Sequence, residues 1–443
     1  MIRKVSFFSF FSELILIFLI LFVPLFEGSV QPLPHKILQL SILLLVSIFI
    51  LRTAIISEPT ITYPSSIFFM FAFFMVVMFQ LIPLSQDTIK VLSPKTLQLY
   101  KQYLPFIGES SRHTLSIYPF ATKKELIELF AFFALFFVVV NIMNSKNKFE
   151  RLLAIITIWA AGLSLYGVMK KFFISGGWYP GGWAHDVSFS TFSHRNVYAG
   201  YMAMIAPLSI GYALSCQDKY KKLFFVFLGT LISVSIFVSA SRGGTASLIF
   251  ALLLLAFLSF RGVSLKNNLW IIVAVIIFLT VLLFLGNIET LKDRIPASFG
   301  PYGLQGRLEI AKSGLTMIKD FPLFGIGLGN GHYIINIYTL GEEKWLHNEY
   351  LELILEAGYI AAFFAFLFFA IVFKDILIQL QKQQDPFVRN VVAGGISGLF
   401  AVIIHSFFDV NFHIPATLFM FWLILGLVYK CVHTKFYEEG DNA

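Results

Sequence analysis

The chain has 443 residues, 58% of them apolar and 13% charged, with a net charge of +8 and a mean hydropathy of +0.80. Soluble domains carry about 25% charged residues, so this composition excludes a water-soluble enzyme, a secreted disulfide scaffold and a disordered tail. The apolar runs are continuous and lack the alternation a β-barrel needs, which leaves an all-α polytopic helical membrane protein.

Runs near the length that crosses a bilayer, about 20 residues, fall near 7–26, 37–56, 64–84, 125–143, 152–173, 196–216, 222–240, 244–261, 268–286, 350–373, 388–408 and 412–431. About 12 transmembrane helices are therefore expected in one membrane domain over 1–443, with long loops near 85–124 and 287–349. Arg3 and Lys4 precede the first run and no small-residue cleavage site follows it, so it reads as an uncleaved first helix. With the N-terminus inside, sixteen basic residues from Arg3 to Lys435 fall in inner segments. Only Lys36, Lys170, Lys171, Arg195 and Arg242 fall in short outer ones. This bias predicts both termini in the cytoplasm, and the net charge reflects topology and anionic lipid, with no nucleic-acid partner. Cys216 and Cys431 then lie at inner helix ends, where no disulfide is expected.

Four polar segments collect on the outer face of this topology. The first is Phe189-Ser190-Thr191-Phe192-Ser193-His194-Arg195-Asn196, and the second is Ser239-Ala240-Ser241-Arg242-Gly243-Gly244. Arg195 and Arg242 can snorkel toward headgroups, but the small neighbours of Arg242 leave amides free to hold an anion beside a fixed guanidinium. The third segment runs through the long loop, from Gly306-Arg307 to Trp345-Leu346-His347-Asn348-Glu349. Leu304, Leu308, Ala311, Leu315 and Ile318 recur at helical spacing, predicting an amphipathic helix on the membrane surface, with Arg307 near its start. Alternating glycines in Gly325-Ile326-Gly327-Leu328-Gly329 suit sharp turns or close packing at the bilayer surface. The fourth segment joins the last two spans and carries His405, Asp409, Asn411 and His413.

Glu349, Glu352 and Glu356 follow an i, i+3, i+7 pattern and share one helical face. Glu356 lies about two turns into its span, where an inward arginine is the partner expected to make it tolerable. His347 at the mouth suits a general base, with Glu349 as the alternative. A metal site of His347, His405 and His413 lacks helical metal-motif spacing, so no metal or cofactor is expected.

Taken together, these motifs resemble the O-antigen ligase/polymerase superfamily of bacterial membrane glycosyltransferases. The resemblance rests on Thr191 to Gly200, Ser239 to Gly244, Gly306-Arg307, Asp320 to Gly325, His347 to Leu351 and Glu356-Ala357-Gly358. It covers most of spans five to twelve, about 145–435, while the first four spans match only in hydropathy. It implies transfer of a glycan from an undecaprenyl-diphosphate carrier to an acceptor hydroxyl at the periplasmic face of the inner membrane. The acceptor is lipid A–core in ligases, the next lipid-linked repeat in polymerases and a pilin in some relatives. Arginines matching Arg195, Arg242 and Arg307 would bind the diphosphate, and the histidine matching His347 would activate the acceptor. Asn196, Ser241, Asn348, Glu356, His405 and Asp409 are candidate supporting residues. His194 departs from the Asn-Arg-Asn of many relatives and takes no role from the family. The ligase reading stands first, followed by a repeat-unit polymerase, a protein oligosaccharyltransferase, and an anion transporter or flippase. Transport predicts inverted repeats and polar helix breaks near the midplane, and the sequence shows neither clearly. A non-catalytic assembly partner would leave the arginine–histidine set without a purpose.

Overall fold

The computed structural model describes residues 2–56, 61–104, 108, 111–174, 188–260, 304–339, 345–434 and 436. The described residues are all-helical, without a strand. The long elements are α1 (Ile2–Phe22), α2 (Pro32–Ile55), α3 (Ile67–Phe79), α4 (Pro119–Ile142), α5 (Lys146–Met169), α6 (Arg195–Ser215), α7 (Lys219–Val238) and α8 (Arg242–Phe260). They continue with α9 (Leu304–Asp320), α10 (Gly331–Tyr338), α11 (Glu349–Lys382), α12 (Pro386–His405) and α13 (Pro415–His433). Among the described residues nine helices are long and apolar enough to cross a membrane, and shorter apolar helices cover Phe7–Phe22 and Ile67–Phe79. The span expected at 268–286 lies outside the described residues.

Helices α6 and α13 are almost wholly buried, although lipid would accept their side chains. They form the centre of the bundle, with α6 packed by α7, α8 and α12, and α13 by α4 and α12. In lipid no hydrophobic force drives helices together, so close backbone approach and buried hydrogen bonds carry the packing. Gly394 and Gly398 of α12 supply the approach, since an added Cβ would collide with the carbonyls of Pro207 and Met204 on α6. Tyr198 of α6 supplies the polar clamp. Its hydroxyl lies 3.1 Å from the Ser164 hydroxyl on α5 and 2.6 Å from that of Ser235 on α7.

One helix is discontinuous. Gly358 interrupts α11 at φ 77°, ψ 167°, a conformation that only glycine adopts without strain. The break leaves backbone groups unpaired on both sides, which is costly in a low-dielectric interior. The glycine-rich segment 321–330 lies across it and satisfies them. The amides of Ile326 and Gly327 donate to the carbonyls of Leu355 (3.0 Å) and Glu356 (2.9 Å), and the amide of Tyr359 donates to Pro322 (2.8 Å). Gln80 of the adjoining chain donates to the Glu356 carbonyl at 2.9 Å and also to that of Phe324. These glycines are therefore turn formers packed on a protein helix, as expected of them, and Gly325, Gly327 and Gly329 all take positive φ. The break lies near the start of the 34-residue α11, where apolar neighbours conceal it in the sequence.

Candidate functional site

Three transmembrane helices begin where the polar segments meet. At the start of α6 the ring Nδ1 of His194 accepts from the Asn196 amide at 3.2 Å. Before α8 the Ser241 hydroxyl accepts from the Gly244 amide at 3.3 Å. The side-chain oxygen of Asn348 caps α11, accepting from the Tyr350 and Leu351 amides at 3.1 Å each. Each helix start carries partial positive charge, and two of the three open on an arginine, Arg195 and Arg242. The preceding turns are strained. Ser190, Ala240 and His347 all take positive φ, at 56°, 59° and 51°, a state that costs a non-glycine residue about 1 kcal/mol or more.

The α12–α13 link draws these starts together. Asp409 is 5% exposed. Its Oδ2 accepts from Asn196 Nδ2 at 2.6 Å and lies 3.8 Å from the Arg307 guanidinium. Its Oδ1 accepts from the Val410 amide at 2.9 Å and faces His347 Nδ1 at 3.9 Å. That separation is a charge contact beyond hydrogen-bond range, and His347 Nδ1 is buried with no hydrogen-bond partner among the described residues. Burial alone would raise the Asp409 carboxyl. The His347 contact, the His405 ring, the Val410 amide and Arg307 outweigh it and hold the group well below the usual carboxylate range. Burial pushes His194 down instead, with Arg195, His347 and Arg307 reinforcing the effect against Asp409.

His405 and Asn411 form the floor. His405 Nδ1 lies 3.1 Å from Asn411 Oδ1, and both pack where a Cβ on Gly200 of α6 would intrude. The opposite edge of the imidazole faces Gly243 of α8. Arg242 is thus the neighbour of a residue packed on the floor, and its own side chain is exposed. Arg307, His347 and Asn196 each reach Asp409, and Arg195 and His194 stand at the start of the helix that carries Asn196.

Glu349 is placed differently. Its Oε1 accepts from the Phe412 amide at 2.6 Å, and its Oε2 lies 3.2 Å from His413 Nδ1. Glu352 is 2% exposed, with Oε1 3.7 Å from His413 Nε2 and Oε2 without a hydrogen-bond partner among the described residues. Glu356 accepts from the amides of Gly329 and Gly331, each at 2.8 Å. Two backbone amides from the glycine-rich crossing therefore hold Glu356, where charge arithmetic had suggested an arginine. Burial would lower His413, but Glu349, Glu352 and Glu356 more than offset it and raise its pKa well above the ordinary value. The acids and His413 thus form a second cluster. Sequence reading missed Glu125 of α4, whose stem packs on Gly329. It also missed Asn330, buried with its amide donating to the Ile326 carbonyl at 2.8 Å. Neither position carries a local motif. Among the described residues no group of His, Cys, Asp and Glu is arranged to hold a metal ion.

Residues 224–369 match the family model for O-antigen ligase. The match covers less than half of the chain and marks this segment as similar to that family. The matched segment runs from α7 into α11 and contains Arg242, Arg307, His347, Glu349 and Glu356, while Arg195 and Asp409 lie outside it. No curated protein matches the chain significantly. The apolar helices indicate a polytopic membrane protein.

Proposed function

We propose that the protein transfers a glycan from an undecaprenyl-diphosphate carrier to an acceptor hydroxyl, at the periplasmic face of the bacterial inner membrane, with both termini in the cytoplasm. The observation that carries this reading is Asp409, which joins Asn196, Arg307 and His347 from three separate stretches of chain. Arg195, Arg242 and Arg307, with the helix starts beside them, bind the diphosphate. Guanidinium groups keep their charge at any working pH and match phosphate oxygens in pairs, so the site needs no metal to hold the leaving group. Asp409 favours the proton on His347 Nδ1, which leaves Nε2 free to accept the acceptor's hydroxyl proton. The acceptor oxygen bonds to the anomeric carbon as the bond from that carbon to the diphosphate oxygen breaks. The departing electron pair stays on the diphosphate, stabilised by the arginines. A single displacement inverts the anomeric centre. Glu349, held by Phe412 and His413, positions the start of α11 and takes no proton.

Deleting the gene and resolving the host's surface glycans on a gel tests this, with complementation by wild type and Arg242→Ala. Loss of long chains from lipid A–core, restored by wild type and not by the variant, supports a ligase. Core bearing a single repeat assigns the same chemistry to a polymerase. A normal glycan profile overturns the proposal.

A further inference from the structure

A row of rings meets the acidic cluster at His413. Tyr118 and Tyr333 meet edge to face at 5.2 Å between centroids, and His332 lies against Tyr333 at 3.8 Å. Trp345 follows at 6.2 Å and packs on His413 at 4.2 Å. The rings come from four separate parts of the chain: the start of α4, α10, the approach to α11 and the α12–α13 link. Tyr118 and Tyr333 are 43% and 49% exposed, and Trp345 is two residues from His347. The row ends at the acidic cluster, where Glu352 Oε2 is buried without a hydrogen-bond partner among the described residues. An orphaned carboxylate oxygen in a buried setting is costly unless a donor reaches it.

We propose that this row and the Glu352 carboxylate form a sugar-binding subsite for the acceptor glycan, with Trp345 as its stacking face nearest the base. The inference rests on the transferase reading above. A pyranose has an apolar face that packs on rings and hydroxyls that donate to carboxylates. Those are the two chemistries set side by side at Trp345, His413 and Glu352. Aromatic side chains also gather at membrane interfaces for reasons unconnected with substrate. That alternative explains exposed tyrosines, but not a row ending on an unpartnered buried carboxylate.

The test uses the full-length protein in lipid nanodiscs. The probes are the host's delipidated core oligosaccharide and its delipidated repeat-unit glycan. Saturation-transfer NMR reports their binding without any turnover. At least one probe should bind wild type and Arg307→Ala, with affinity falling about tenfold in Trp345→Ala and Tyr333→Ala, the scale of a lost ring contact. Trp345→Phe and Tyr333→Phe should keep most of the affinity, which separates stacking from misfolding. In transfer assays the alanine variants should raise the acceptor KM with kcat little changed, and Glu352→Gln should raise it too. Unchanged binding of both probes by the alanine variants, or no binding to wild type, overturns the subsite. If the probes bind in this ring-dependent way but wild type transfers nothing, the transferase reading fails instead, and with it the assignment of the bound glycan as an acceptor.

Discussion

Asp409→Asn is the most informative single change. Asparagine keeps the volume and one acceptor oxygen, so Asn196 or the Val410 amide retains a partner while the other faces an NH2 group. The charge opposite His347 is lost. At 3.9 Å a carboxylate stabilises an imidazolium by about 4 kcal/mol at an effective dielectric of about 20. His347 is 31% exposed on its side chain, and screening reduces this to about 2–3 kcal/mol. Since the imidazolium forms only as the hydroxyl proton is taken, the loss falls on turnover, by about 30- to 150-fold. The assay is transfer of lipid-linked glycan by the purified protein at saturating donor, measured from pH 5 to pH 9. Because the native carboxyl is held well below its ordinary range, Asp409 is ionised throughout that window, so its own titration adds nothing to the defect. The sign agrees for stability. A depressed native pKa contributes stability above the unfolded value of about 3.9, lost only as pH falls through the native one. Turnover within about threefold of wild type across the window refutes the role given to Asp409.

Other outcomes follow from the same geometry. Arg242→Lys should lose most transfer activity despite keeping its charge, because paired guanidinium contacts to phosphate are replaced by a point charge; full activity of the lysine variant contradicts that. Gly358→Ala should lower thermal stability in detergent by about 2 kcal/mol or more, since φ is +77° and the new methyl would collide with the Leu323 carbonyl; an unchanged melting temperature removes the role given to the break. Tyr198→Phe should cost about 1 kcal/mol, within the range of interhelical hydrogen bonds, and leave transfer intact. His413 has a raised native pKa, so its ion pairs stabilise fully below about pH 6.5 and are lost as pH rises through the native value. His413→Gln should therefore destabilise the protein at neutral pH and flatten the alkaline fall in melting temperature, and a parallel fall in both proteins contradicts the cluster.

Much of the helical frame was legible because lipid imposes a simple rule. A spanning segment must satisfy its own backbone, so about 20 apolar residues mark it. Helix starts at Arg195, Arg242 and Glu349 were legible for the opposite reason, because polar and small residues interrupt the apolar pattern there. What could not be read were partners supplied by backbone. Glu356 looked like a buried charge in want of an arginine, and its partners are the amides of Gly329 and Gly331. Backbone amides have no sequence signature, and only the turn geometry of the glycines aims them. The break at Gly358 was concealed similarly, since Glu356-Ala357-Gly358-Tyr359 sits inside a long apolar run.

The two hidden features are one structure. Interrupting α11 frees the carbonyls of Leu355 and Glu356, and the crossing segment that caps them also presents the Gly329 and Gly331 amides to the Glu356 side chain. The cost of breaking the helix and the cost of burying its glutamate are thus offset by the same ten residues. That coupling fixes the first half of α11 against the loop, and this half begins at Glu349, two residues after His347. A disturbance at Gly327 or Gly358 therefore reaches His347 through a helical element about nine residues long, without touching the polar site. Function at His347 should accordingly be sensitive to the break even though Asp409, Arg307 and Asn196 keep their places.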